Sequence, residues 1–239
     1  MKHLFLLIFL TSSMILLQAQ ELTDTHINKV DVQGRRQGLW RVYDGDGNLK
    51  FTGEFHDDKP MGEFRYFYPN GKTKAIVLQS DSGRISHVTN YYSNGNVMAR
   101  GKYVDQKKDS TWLYYTEEDG SLASEELYVS GSKEGVWKVF YPEGAIAEEI
   151  NYRDNIRNGP WTLYFTDGNT KLKATYVDDK LEGTYLIYHL NGNVEVSGSF
   201  LHDNKHGTWV YLSDLGVLEK KEEYVNGKLE NQEIIEKDE

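Results

Sequence analysis

The sequence predicts an all-β chain, an elongated antiparallel β-meander or solenoid-like array of about eight hairpin repeats, and three observations predict it. A unit that opens on glycine, carries a large aromatic two places on and closes on a second glycine recurs along the chain. Its starts fall at 38, 62, 86, 110, 135, 159, 183 and 207, a period of 24 residues with one of 25. A fixed period of this size marks a repeat architecture in which each unit is one supersecondary element. Within a unit, apolar and polar residues alternate, as in Trp161-Thr-Leu163-Tyr164, which is the period of a half-buried strand. Asp-Gly, Asn-Gly or Pro-x-Gly closes the first strand in almost every copy, and such dipeptides between two strand runs read as hairpin turns.

In chain order, residues 1–19 come first. Lys2 supplies a positive end, Leu4 to Leu17 is an apolar core of 14 residues, and Ala19 offers a small residue for cleavage. This reads as a signal peptide, too short for a comfortable membrane span, and it implies an exported chain that is periplasmic, secreted or on the outer surface. Residues 20–37 follow as a capping half-repeat, where Ile27 to Val32 alternates like a strand; terminal units of repeat arrays are commonly atypical.

Residues 38–231 form the repeat domain. The anchor position holds Trp40, Phe64, Val88, Trp112, Trp137, Trp161, Tyr185 and Trp209, so all five tryptophans share one column. Two residues on, on the same face, stand Val42, Tyr66, Asn90, Tyr114, Val139, Leu163, Ile187 and Tyr211; the aromatics one place further fall on the opposite face. The closing glycine is present in all eight copies: Gly47, Gly71, Gly95, Gly120, Gly144, Gly168, Gly192 and Gly216. It is placed to take the left-handed position that ends a type I turn with a bulge. The second strand ends on Phe55, Tyr103, Tyr128, Tyr152, Tyr176, Phe200 or Tyr224, and two residues earlier Gly53, Gly101, Ala174 and Gly198 leave room for a neighbouring ring. A polar loop such as Val177 to Gly183 is expected to lead into the next copy. The third copy is weak, with Gln79-Ser-Asp-Ser-Gly-Arg84 in place of the aromatic end, and is read as repeat decay. Residues 232–239 are expected to run out as a charged tail that protects the last edge strand.

The columns resemble the MORN repeat in its bacterial variant form, the YwqK-type antitoxin family. The runs that carry the resemblance are Tyr176-Val-Asp-Asp-Lys-Leu-Glu-Gly-Thr-Tyr185 with Tyr188-His-Leu-Asn-Gly192, and their equivalents at Tyr103 to Tyr115 and Tyr224 to Lys228. The resemblance spans nearly everything after residue 30. It implies a twisted meander of hairpins with roles in protein or lipid contact, and no enzymatic activity.

Composition narrows the function further. There is no cysteine, which removes disulfides, thiolate metal sites and thiol catalysis together. The net charge is −10, which argues against nucleic acid and anionic membranes as partners. Chemistry-bearing motifs are few. His202-Asp203-x-x-His206, with His189, has metal-like spacing but falls in a loop rather than on a helix face. Asp44-Gly-Asp46-Gly-Asn48 resembles the start of a calcium loop, but Leu49 and Phe55 stand where glycine and the bidentate glutamate belong. Val129 to Gly135 lacks the helix that would aim amides at a phosphate. The paired carboxylates Glu117-Glu118, Glu125-Glu126, Glu148-Glu149 and Glu222-Glu223 sit on strand positions without the pocket that acid–base work needs. No catalytic, cofactor or metal residue is assigned.

The reading that remains is a non-enzymatic exported scaffold, monomeric, whose aromatic-rich sheet face binds another protein. Antitoxin or immunity action, lipid binding and binding of surface polysaccharide are the alternatives. The tryptophan column is either a packing ladder or a set of interface anchors, and we take it as the ladder. Tyr66, Tyr114, Tyr211 and Ile187, in the more variable column beside it, are then the residues expected to touch a partner.

Overall fold

The structure is a computed structural model and describes residues 26–235. The expected signal peptide and the last four residues of the expected tail lie outside the described residues. The chain divides into two compact units, Met1–Asn96 and Val97–Glu239; the division falls inside the turn of the third copy.

The first unit is an antiparallel meander of β1 (Lys29–Val30), β2 (Arg36–Tyr43), β3 (Leu49–His56), β4 (Lys59–Phe67), β5 (Thr73–Ser80) and β6 (Ile85–Tyr91). Each strand pairs with the next, from Lys29↔Gln37 to Ser80↔Ile85. The second unit repeats the arrangement. Its strands are β7 (Val97–Val104), β8 (Lys107–Tyr115), β9 (Leu122–Val129), β10 (Ser132–Lys133), β11 (Gly135–Phe140), β12 (Ile146–Arg153) and β13 (Ile156–Tyr164). They continue as β14 (Thr170–Val177), β15 (Lys180–Leu181), β16 (Gly183–Tyr188), β17 (Val194–Leu201), β18 (Asn204–Leu212), β19 (Leu218–Val225) and β20 (Lys228–Ile234). Among the described residues there is no α-helix, so the expected all-β meander is the observed one.

Two kinds of turn alternate. The glycine turn inside each hairpin closes as expected: Gly47 N–H donates to the Asp44 carbonyl, and the same bond forms at Gly71, Gly95, Gly144, Gly168, Gly192 and Gly216. Each of these glycines has positive φ, the region that side chains resist. Leu215-Gly216, which departs in sequence, makes the same turn. The fourth copy does not, because its extra residue widens the loop to Thr116 N donating to the Ser121 carbonyl at 2.9 Å.

Between hairpins the structure corrects the expected polar loop. Strand pairing continues through Val177↔Lys180, and only Asp178 and Asp179 turn, both at positive φ (49° and 66°). Two such residues in succession make the type I′ turn whose twist suits a tight hairpin. Asp57-Asp58, Asp105-Gln106, Asp154-Asn155 and His202-Asp203 do the same. The glycine that opens each unit is therefore not at a loop end. It lies within or at the start of a strand, at positive φ, beside the bulge between hairpins, as at Gly62 and Gly207. Ser110 takes the same role at φ 62°.

Four of these I′ turns are bolted to the repeat before them. Asp179 N–H donates to the Arg157 carbonyl at 3.0 Å, and its carboxylate accepts from Arg157 N–H at 3.0 Å and Nε at 2.9 Å. Asp58 holds Arg36, Asn155 holds Lys133 and Asp203 holds Leu181 in the same way. The third copy lacks this clamp for a local reason. Its holder would be Pro60, which has no N–H to give, and a short 3-10 turn (Asp81–Gly83) packs against that ring instead. Gly83 is required there, since a Cβ would stand 2.7 Å from Pro60 Cγ. Finally, residues 232–234, expected to open the tail, belong to β20, which pairs with β19 as far as Lys220↔Ile234.

Candidate interaction face

Alternation sorts the side chains into two faces, and one carries the aromatic ladder. Trp112, Trp209 and Phe64 are buried at 2–3 % exposure, whereas Trp40, Trp137, Trp161 and Tyr185 are half-buried. Rings meet edge to face or tilted within each unit: Trp40 with Phe55 and Phe55 with Phe64 in the first. In the second, Tyr103 meets Trp112, Tyr128 and Tyr152 flank Trp137, Trp161 meets Tyr176, and Tyr185, Phe200, Trp209 and Tyr224 form one run. Centroid spacings of 4.9–6.4 Å lie in the range where such pairs attract beyond their buried area. The tryptophans pack within this ladder of rings. Three indoles also donate to a carbonyl ten residues back: Trp112 to Lys102, Trp137 to Leu127 and Trp209 to Ser199. Trp161 instead reaches Glu148 Oε1 at 2.7 Å, and Trp40 Nε1 is buried with no partner.

The small residues beneath the rings are what the close approach needs. A Cβ on Gly53 would stand 2.2 Å from Phe64, and one on Gly198 2.2 Å from Trp209.

Beside the ladder a second row crosses the second unit at one residue per strand. Strand pairing sets Tyr114, Ser124, Val139, Glu148, Leu163 and Leu172 in line, and the line continues through Ile187, Val196, Tyr211 and Lys220. Three of the expected contact residues therefore share one row. Tyr66 is in the first unit, against Phe51 at 5.6 Å.

These side chains are less free than the sequence suggests. The Tyr211 hydroxyl donates to Glu222 at 2.7 Å and accepts from Lys205 Nζ at 2.9 Å; the Tyr114 hydroxyl accepts from Lys108. Ile187 is half-buried beside Val196 and Leu172. The most exposed member of the row is Val139, at 41 %, a residue that the sequence places in the right column but does not single out.

Two networks stand on this face, one in the fourth copy (Lys108, Tyr114, Glu126, Tyr128) and one in the eighth (Lys205, Tyr211, Lys220, Glu222, Tyr224). Burial works against a charge on Glu222, but hydrogen bonds from Lys220, Tyr211 and Tyr224 outweigh it and hold the carboxyl at about 2. Burial and then the nearby Glu126 push the Tyr114 phenol up to about 12, and burial first, then Glu222, pushes Tyr211 up as well. Burial lowers Lys108. The phenols thus stay protonated donors, and Glu222 stays charged.

Sequence reasoning missed a column of cations four residues before the anchor. Arg36 lies over Phe55 at 3.8 Å, Lys133 over Trp137 at 4.3 Å, Arg157 over Tyr176 at 4.1 Å and Lys205 over Trp209 at 4.2 Å. A cation over a ring face is attracted by the ring quadrupole. The 24-residue period carried this signal, but it lay in the stretch expected to be loop.

The histidines are engaged in the same repeat contacts. His189 Nε2 bonds the Leu212 carbonyl at 2.9 Å, the place Tyr68 and Tyr141 fill in their copies. His202 Nδ1 lies 3.0 Å from Glu182, and His206 accepts the Asn226 N–H at 3.5 Å. Glu223 faces the other side from Glu222, where it binds Thr208 and Lys221.

Comparison with known families finds the MORN repeat variant, which matches residues 36–57, 62–78, 133–154, 157–178 and 181–202. Those are the first, second, fifth, sixth and seventh copies; the third, fourth and eighth, whose turns or anchors depart most from the pattern or which carry the extra charged network, are passed over. No curated protein matches. Among solved structures, the chain is similar to "Crystal Structure of TarM" at 12% identity and TM-score 0.27, over 69% of this chain and 23% of that one. It is also similar to "Crystal Structure of TcdB2-TccC3-TEV" at 13% identity and TM-score 0.20, over 82% and 14%. The chain spans less than a quarter of the length of either, and likeness at this level assigns it no activity.

Proposed function

We propose that this MORN repeat protein is a non-enzymatic scaffold that binds another protein through the row beside its aromatic ladder. One observation carries the reading: Leu163, Leu172, Ile187, Val196 and Tyr211 lie in a continuous line across neighbouring strands, and Val139 stands in the same row on the far side of Glu148. Val139 keeps 41 % of its surface exposed. Apolar side chains in a line, rimmed by charged groups at Lys220 and Glu148, have the make-up of an interface core with a polar rim. Residues 1–19 add the proposal that the binding happens outside the cytoplasm. A toxin-neutralising role of the YwqK type would use the same face and differ only in its partner.

The test is crosslinked capture by the full chain, from an envelope and secretion extract of its own source, with Val139→Asp as comparison. A saturable protein partner that is lost in the variant, while its thermal melt is unchanged, supports the row. Equal capture by both forms overturns it, and recovery of lipid or polysaccharide alone overturns the choice of a protein partner.

A further inference from the structure

The cations four residues before the anchor are compensated in every copy of the second unit that carries one, except the fifth. In the fourth copy the Lys108 ammonium lies over Trp112, Tyr114 and Tyr128 at 4.7–5.1 Å and donates to the Tyr114 hydroxyl. Glu126 acts on the same ammonium and accepts from the Tyr128 hydroxyl at 2.9 Å. In the eighth, Lys205 lies over Trp209 and Tyr224, donates to the Tyr211 hydroxyl at 2.9 Å and stands 3.7 Å from Glu222. In the sixth, the turn carboxylate Asp179 pairs with Arg157 at 2.9 Å.

Lys133 keeps the rings and meets none of the oxygens. Its ammonium lies over Trp137 at 4.3 Å and Tyr152 at 4.8 Å. Val139 stands where the fourth and eighth copies have Tyr114 and Tyr211. Ile150 pairs with Trp137, where Glu126 pairs with Trp112 and Glu222 with Trp209. At the turn, Asn155 holds the Lys133 N–H with a neutral carboxamide, where Asp179 brings a charge to Arg157. Phenol, carboxylate and turn acid are thus all replaced in one copy. Among the described residues the Lys133 ammonium has no hydrogen-bond or ion-pair partner.

The setting makes that charge effective. Lys133, Trp137, Ile150 and Tyr152 are half-buried, and an ammonium held among rings and aliphatic groups attracts a carboxylate more strongly than a solvated one does. Lys108 and Lys205 each reach the residue two places after their own anchor. A carboxylate that meets Lys133 therefore stands beside Val139, the most exposed member of the row at 41 %.

We infer that the fifth copy receives the partner, which supplies an acidic side chain to Lys133 and an apolar one to Val139. The carboxylate takes the part that Glu126 and Glu222 play in their own copies. This rests on the reading that the row binds a protein, and it adds the chemistry of that protein: an acidic segment.

The probe is a labelled peptide of about eight residues that alternates glutamate with valine, beside its glutamine counterpart, titrated into the full chain at low salt and read by fluorescence anisotropy. The chain carries −10 overall and repels such a peptide, so binding reports a local cation and not general attraction. The glutamate peptide is expected to bind saturably and about tenfold or more tighter than the glutamine peptide. That comparison changes nothing in the protein. Asn155→Asp and Ile150→Glu, which give this copy the acids of its neighbours, should weaken the glutamate peptide by about tenfold; weakening in either, with an unchanged thermal melt, supports the contact. No binding of the glutamate peptide, equal binding of the two peptides, or binding unchanged in both variants overturns it.

Lys133→Gln, added to the capture experiment, separates this inference from the reading beneath it. A partner kept by Lys133→Gln and lost by Val139→Asp leaves the row in place and overturns the acidic contact. A partner kept by both overturns the row as well. Self-association in sedimentation that Lys133→Gln abolishes assigns the carboxylate to a second copy of this chain and overturns the choice of another protein.

Discussion

The indole of Trp112 lies across the backbone of Gly101, so close that a Cβ on that glycine would stand 2.1 Å from the ring. Gly101 is not at positive φ, so its requirement is steric and not conformational. Gly101→Ala is expected to destabilise by about 1–3 kcal/mol, the usual cost of overpacking a well-filled site. Urea unfolding of Gly101→Ala, Trp112→Leu and the double variant checks it. The double variant should lose less than the sum of the singles, because the smaller side chain vacates the space; strict additivity would mean that the ring does not rest on Gly101.

The turn clamp gives a second expectation. Asp179 fastens Arg157 through backbone and side chain, and both groups keep substantial exposure (50% and 35%), so the ion pair itself contributes little. Asp179→Asn should be nearly neutral, because Asn155 already holds Lys133 N–H at 2.8 Å in the neighbouring repeat. Asp179→Gly keeps the positive φ available and removes only the acceptor, and should cost about 1 kcal/mol. An equal cost for the two variants, measured by thermal or urea unfolding, would show that charge rather than the hydrogen bond fastens the turn.

How far the sequence reveals this molecule follows from what kind of contact is at stake. The hairpin turns, the ladder and the glycines under the rings were legible, because each rests on a residue type that little else can replace at that backbone position. The turns at Asp57-Asp58 and Asp178-Asp179 were not. Two acidic residues in a polar run look like loop, yet a short side chain that bonds its surroundings lets them take the left-handed region. The placement of the expected contact residues was half legible. Tyr114, Tyr211 and Ile187 do share a row, but the pattern could not show that Lys108 and Lys205 fold back over the rings and bind the phenols. A long aliphatic stem covers apolar surface wherever its charge finds a partner, and the period alone does not say where that is.

Glu222 makes stability depend on pH. Its folded pKa of about 2 lies below the ordinary 4.5. The unfolded chain therefore binds the proton first as pH falls. The contribution is fully present above pH 4.5 and is lost as the pH drops toward 2, with an upper size of roughly 3 kcal/mol. In Glu222→Gln that part of the acid dependence should vanish, while the rest of the chain keeps its own. Urea midpoints between pH 2 and 6 for the two proteins would separate the effects. Parallel curves would mean that Lys220, Tyr211 and Tyr224 do not favour the carboxylate over the acid.

The ladder holds one indole that differs from its neighbours. Trp112 Nε1 donates to the Lys102 carbonyl at 3.1 Å, whereas Trp40 Nε1 is buried with no acceptor. The residue ten places before Trp40 is Val30, at the end of the two-residue β1, and its carbonyl does not accept the indole N–H. A buried donor without a partner costs about 1–3 kcal/mol, and phenylalanine removes that donor while keeping most of the ring. Trp40→Phe should therefore be neutral or stabilising, and Trp112→Phe should destabilise by about 1–2 kcal/mol through the lost bond and lost contact area. Paired thermal melts decide it. Equal destabilisation of the two variants would mean that ring area alone sets the cost and that the Trp40 N–H is satisfied in solution.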